Sequence, residues 1–241
     1  MKYRHLKDRK EYKTIILSGG HSDVGNNIYY TDLKKGGKQS PLWRTGVKIY
    51  EGESVRDLCY EIVCKLRKLE VPAILLVGEQ EDISLKERAL RENRIYDMAN
   101  KNTFYFELHH NGQPVDNAPY KDSDGYKGWD SRNAYRAATG TEIWTSKGLT
   151  KADKYAQFIM DNISVSPLCD DIFGTLRGYS KDKADREAQL YMLKNTKSPA
   201  VIFEWLFQTN ELDCVKISNN WHRDRFVDII VSILEKISKN K

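Results

Sequence analysis

The sequence predicts an α/β fold, a single domain whose mostly parallel, twisted sheet of about five or six strands is flanked by helices. Three observations carry this. Short apolar runs alternate along the chain with amphipathic segments of helical period. The 241 residues suit one domain with a sizeable core. No internal repeat or low-complexity linker divides them. The single domain spans 1–241, with a core from about Thr14 to Ile217 and a C-terminal helix over about 222–239.

The apolar run Thr14–Leu17 stops at Gly19 and Gly20 and reads as a first buried strand. Ser54 opens a helix with Asp57 in a capping-box pattern, and Val55, Leu58, Cys59, Ile62, Leu66 and Leu69 share its buried face. Val71–Val77 is a second strand, ended by Gly78. Ser84 and Glu87 cap the next helix, which runs to about Asn100. Phe104–Leu108 is a third strand. Residues 112–139 are rich in Gly, Asp, Asn and Lys and read as a long loop, a length that is uncommon unless functional. Thr141–Thr145 is a fourth strand, and Thr150 with Asp153 begins a helix carrying Ala152, Tyr155, Ala156, Ile159 and Ile163. Leu168–Ala184 is irregular, and Leu190–Leu193 is ambiguous between strand and helix. Ala200–Phe203, entered through Pro199, is a fifth strand. The last helix, from about His222 to Lys239, buries Phe226, Ile229, Ile230, Ile233, Leu234 and Ile237.

Composition excludes several classes. Apolar residues make up 40% and charged residues 30%, a soluble balance, and no run approaches the roughly 20 apolar residues of a membrane span. The net charge of +5 is spread along the chain, with no arginine-rich arm, zinc-finger spacing or RNA-binding aromatic motif, so no nucleic-acid partner is expected. The four cysteines, at 59, 64, 169 and 214, form no CxxC pair and read as reduced, buried thiols of a chain made in a reducing cytoplasm. The charged start MKYRHLKDRKEYK has no apolar stretch and does not read as a secretory signal.

In a parallel α/β sheet, ligands bind at the carboxyl ends of the strands. His21 follows the first strand, His109 closes the third and Glu204 closes the fifth, while Glu53 stands where the first long helix begins and the helix dipole favours a carboxylate. Two imidazoles and one carboxylate are a catalytic zinc set that leaves a position for water of lowered pKa. A further carboxylate, Glu204, can then serve as general base and acid, which suits amide hydrolysis. Each residue also has a plainer reading: a strand-end histidine is often structural, Glu53 could serve the helix dipole alone, and Glu204 could pair with a surface lysine.

The chain resembles the zinc-type N-acetylmuramoyl-L-alanine amidases of bacterial autolysins and phage endolysins over about Thr14 to Ile217. IILSGGHSD resembles the first strand and histidine turn of that family, EGESVRDL the glutamate opening the first helix, and FELHHNG the strand ending in His-any-Asn. By this likeness one zinc ion is held by His21, Glu53 and His109; Glu53 matches better than Glu51 in its spacing to Leu58. SPAVIFEWLFQTNELD resembles the last strand and makes Glu204 the catalytic glutamate, with Phe207 and Asn210 after it. SLKERALREN supplies Leu85, Arg88 and Asn93, TGTEIW the strand after the variable loop, and LRGYSKD an Arg-Gly turn with Arg177 and Gly178 near the cleft. Asn111 and Arg177 are the weaker, substrate-binding candidates. Ser22-Asp23, Glu107 and Trp205-Leu206 depart from the family, which usually has two glycines, a serine and a glycine there.

The resemblance implies a peptidoglycan hydrolase that cleaves the amide between N-acetylmuramic acid and L-alanine of the stem peptide. It acts at the bacterial cell wall, is expected to need no membrane partner, and could be released by a holin. The competing readings are a zinc peptidase cutting within the stem peptide and a non-catalytic wall-binding protein on the same fold. Among the remaining residues, His110 should face away from His109 and be packed or support a ligand, while Asp23 is either such a support or a turn residue. His5 and His222 should face solvent. Tyr126, Trp129, Trp43 and Tyr50 offer faces for sugar stacking, against the commoner use of such aromatics to pack a loop down.

Overall fold

The central strands of the sheet are runs buried along nearly their whole length, the signature of a sheet covered on both sides. The computed structural model describes residues 12–21, 24–25, 28–29, 38–43, 45–79, 83–113, 120–121, 127–128 and 138–239. The elements in chain order are β1 (Thr14–Gly19), β2 (Val24–Gly25), β3 (Ile28–Tyr29), α1 (Glu51–Lys68), β4 (Ala73–Leu75), α2 (Leu85–Met98) and β5 (Thr103–Asn111). Then follow β6 (Tyr120–Lys121), β7 (Lys127–Gly128), β8 (Glu142–Thr145), α3 (Asp153–Ser164), α4 (Cys169–Ile172), β9 (Arg186–Glu187), α5 (Tyr191–Asn195), β10 (Ala200–Phe207), α6 (Glu211–Ser218) and α7 (Asn220–Lys239).

Six strands form one sheet in the order β4-β1-β5-β10-β8-β9. All neighbours are parallel except β8, which runs antiparallel to β10. The expected mostly parallel α/β sheet is therefore what forms. Along β5, Phe104, Phe106 and Leu108 face the larger core with α1, α3 and α7, while Tyr105 faces a smaller one with α2 and α5. The stripe of α7 is buried as its period implies, with Ile229 at its margin.

Ser84 caps α2 as expected, its hydroxyl accepting from Glu87 N at 3.2 Å. The start of α1 differs. The helix begins at Glu51, three residues before Ser54, and Ser54 N already donates to Tyr50 O at 3.0 Å. Ser54 is thus no cap; its hydroxyl is engaged by His110. The ambiguous segment after Leu190 is helical, and Leu168–Ala184 contains the short α4. Helix α6 escaped the sequence reading because eight residues are too short to show a stripe; its one signal is Asn210, whose side chain accepts from Asp213 N.

The cysteines at 59, 64, 169 and 214 are free thiols. Trp43 is wholly buried in the larger core, so it is a packing residue, and Tyr50 sits under Lys48 at the start of α1. Among the described residues no helix is long and apolar enough to cross a membrane. His5, Ser22, Asp23, Tyr126, Trp129 and most of the 112–139 segment lie outside the described residues.

Candidate metal centre

The carboxyl ends of β1, β5 and β10 and the first turn of α1 meet at one edge of the sheet. Gly20 N donates to Leu108 O at 2.8 Å and carries the chain from β1 past β5. A side chain at Gly20 would have to displace the His109 ring or the turn, because its Cβ would lie 1.8 Å from that ring. His21 follows in the left-handed region, at φ 51°, a conformation that costs a non-glycine residue about 1–2 kcal/mol. The two rings then meet edge to face, with centroids 5.1 Å apart.

Glu51, the first residue of α1, reaches into this pair and is 2% exposed. Its Oε1 lies 3.0 Å from His109 Nδ1 and 3.9 Å from His21 Nε2, and accepts from His110 N at 3.2 Å. Its Oε2 accepts from Gln208 Nε2 at 2.6 Å. One donor atom from each of His21, Glu51 and His109 lies within 4.8 Å of the others. Two imidazole nitrogens and a carboxylate oxygen are the donor chemistry of a divalent zinc site, whose bonds of about 2.0–2.2 Å allow such a spacing. The residues fit the ion.

The charges are arranged to match. Burial alone would raise the Glu51 carboxyl, but the hydrogen bond and charge of His109 and the charge of His21 pull it down to about 2. Burial works against an imidazolium at His109, yet the carboxylates of Glu107, Glu51 and Glu204 hold its proton affinity well above the usual range. Burial lowers His21, helped by the charge of His109. Glu107 is buried, 3.7 Å from His109 Nε2 on one side and 3.8 Å from Arg88 Nη1 on the other. Arg88 also donates to Gly19 O at 2.8 Å, which pins the end of β1 just before the His21 turn.

Glu204 is half-buried and pairs with His109 across the β5–β10 ladder. Burial is the main cause that pushes its carboxyl up to about 7, reinforced by the negative charges of Glu51, Glu142 and Glu107 against the positive pull of His109. His110 points to the opposite face, as strand alternation requires. Its Nδ1 donates to Trp205 O at 2.8 Å and its Nε2 lies 3.0 Å from Ser54 Oγ. Burial drives it down to about 4, so it is a neutral bridge behind Glu51.

His21 and His109 thus come together, with Glu204 beside them. Glu53 does not join them, and Glu51 takes the place expected for it. Two helical positions are about 200° apart, so a helix that turns Glu51 inward turns Glu53 outward. Glu53 is exposed and lines a surface pocket with Lys48, Asp57 and Arg223. The missed signal was the true helix start, hidden because Ser54 resembles a cap. Asn111 and Arg177 both bind the buried Glu142, at 3.0 and 2.6 Å, and Arg177 lies over the Phe207 ring. His222 is half-buried against Asn219.

A family model described as N-acetylmuramoyl-L-alanine amidase matches residues 20–236. No curated protein matches the chain by sequence. Among solved structures, an N-acetylmuramoyl-L-alanine amidase from Clostridium difficile 630 aligns at 20% identity and TM-score 0.61, covering 93% of this chain and 95% of that one. The amidase Ami1 from Mycobacterium smegmatis aligns at 16% identity and TM-score 0.63, covering 94% and 97%. The catalytic domain of the endolysin CD27L, targeting Clostridia difficile, aligns at 16% identity and TM-score 0.54, covering 95% and 100%. These likenesses speak to the fold.

Proposed function

The chain belongs to the N-acetylmuramoyl-L-alanine amidase family, hydrolases of peptidoglycan, and from that premise we propose that His21, Glu51 and His109 hold one zinc ion and that Glu204 is the catalytic carboxylate. The convergence of the three donors beside Glu204 is the observation that carries the reading. A zinc ion held there supplies Lewis acidity and a water of lowered pKa. The chain's own groups move the protons. The Glu204 carboxylate takes one from the attacking water and returns it to the leaving nitrogen of L-alanine, two roles that a carboxyl with raised proton affinity performs near neutrality. The scissile bond is the amide joining the lactyl group of N-acetylmuramic acid to that alanine. Glu142 sets Asn111 and Arg177, and through them the polar groups that orient the muropeptide at the end of β5.

The test is metal analysis of the purified protein together with clearing of purified cell walls. Clearing is expected to stop on chelation and return with zinc, and the digest is expected to contain stem peptides with free N-terminal alanine and intact glycan strands. Clearing that persists in fully chelated protein would overturn the metal assignment.

A further inference from the structure

Strand β10 carries one extra residue near its end. Phe203 and Glu204 pair with Leu108 and His109, but the next aligned pair is Phe207 with Asn111, three steps on β10 against two on β5. The bulge is absorbed at Leu206, whose φ of 61° lies in the left-handed region. A bulge changes which face each later residue occupies. Ile202 lies in the smaller core and Phe203 and Trp205 in the larger, yet Leu206 also lies in the larger. Without the extra residue, Gln208 would share the face of Ile202 and Glu204. With it, Gln208 turns to the α1 face and meets Glu51.

The contact is built in detail. Gln208 is 4% exposed. Its backbone is fixed at both ends, N donating to Asn111 O at 2.8 Å and O accepting from Cys214 Sγ at 3.3 Å. Its Nε2 gives the 2.6 Å bond to Glu51 Oε2, while its own Oε1 is buried with no hydrogen-bond partner among the described residues. The reverse amide orientation would set two oxygens against each other, so the donor must face Glu51. Of the two Glu51 oxygens, Oε2 is taken up by Gln208 and Oε1 is the one that meets His21 and His109.

We infer that Gln208 is a positioning residue that restricts Glu51 to single-oxygen ligation of the metal. The inference rests on the metal site proposed above and deepens it. A bidentate carboxylate would add a ligand to the sphere and crowd the position that three single donors leave open. Outer partners of this kind are commonly worth about 10–100-fold in metal affinity.

The experiment uses the full chain stripped of metal and titrated with Co2+ and Zn2+, as parent and as Gln208→Met, which keeps the volume and removes the donor. Gln208→Asn, one methylene too short to reach, is the second variant should the first fail to fold. The expected result is a zinc affinity lower by roughly tenfold or more, together with weaker visible bands of the cobalt form, the sign of a higher coordination number. Unchanged affinity and bands would overturn the inference. So would lower affinity with unchanged bands, which is what lost packing alone produces. A parent that binds neither ion would instead overturn the metal site itself, and the role of Gln208 with it.

Discussion

Glu204 stands directly across from His109, and theirs is the last aligned pair of β5 and β10 before the bulge. The carboxylate with the raised proton affinity is thus held on the same rigid ladder as a candidate ligand. Strand pairing sets their spacing, which no mobile loop controls.

The first prediction separates Glu51 from Glu53. Glu51→Gln removes the buried donor and is expected to lose metal, by at least the roughly 10–100-fold that loss of a supporting partner costs. Glu53→Gln, on the exposed side of α1, is expected to retain both metal and wall-clearing activity. Metal analysis after dialysis of the two variants decides between them.

Glu204→Gln is expected to lower the hydrolysis rate by about 10²–10⁴-fold, the usual worth of general acid–base catalysis. Metal content should not change, since Glu204 stands outside the three-donor cluster. Release of N-terminal alanine and metal stoichiometry, measured together, check this.

The same carboxyl gives the metal-free protein a pH signature. Its folded-state value of about 7 lies above the ordinary 4.5, so between those values the folded state holds a proton that the unfolded state has released. Stability from this group therefore falls as pH rises through that window. Thermal unfolding of chelated parent and Glu204→Gln is expected to show the variant gaining on the parent from pH 4.5 towards 7. Parallel curves would contradict it.

Gly20→Ala places a methyl group 1.8 Å from the His109 ring and must displace the ring or the turn. Overpacking of this kind costs about 1–3 kcal/mol. A lower melting temperature together with weakened metal binding is expected, since the ring that moves carries a candidate ligand. Gly78→Ala, with Leu75 Cδ2 at 3.6 Å the one atom within 4 Å among the described residues, is the control that should change neither.

Much of the molecule was legible in the chain. Periodicity alone located β1, β5, β10, α2 and α7, because apolar spacing records which face of an element is buried. The histidines at 21 and 109 and the glutamate at 204 were legible as strand-end residues, since the carboxyl ends of parallel strands share one edge. The departures from the family were visible too, but without meaning. Leu206 proved to occupy a left-handed backbone position where glycine is at ease, and Glu107 to lie between Arg88 and His109.

The sequence by itself determined the order of the elements, their buried faces and the edge where the chemistry gathers, because each follows from short-range spacing. Only the tertiary structure decided which glutamate faces the histidines and which residue holds it. The phase of α1 depends on where its first turn begins, and the face of Gln208 depends on one extra residue in β10. Both depend on contacts between segments distant in the chain, the bulge on the pairing of Phe207 with Asn111 and the place of Glu51 on its bond to Gln208 with a separation of 157, and local spacing carries no record of that.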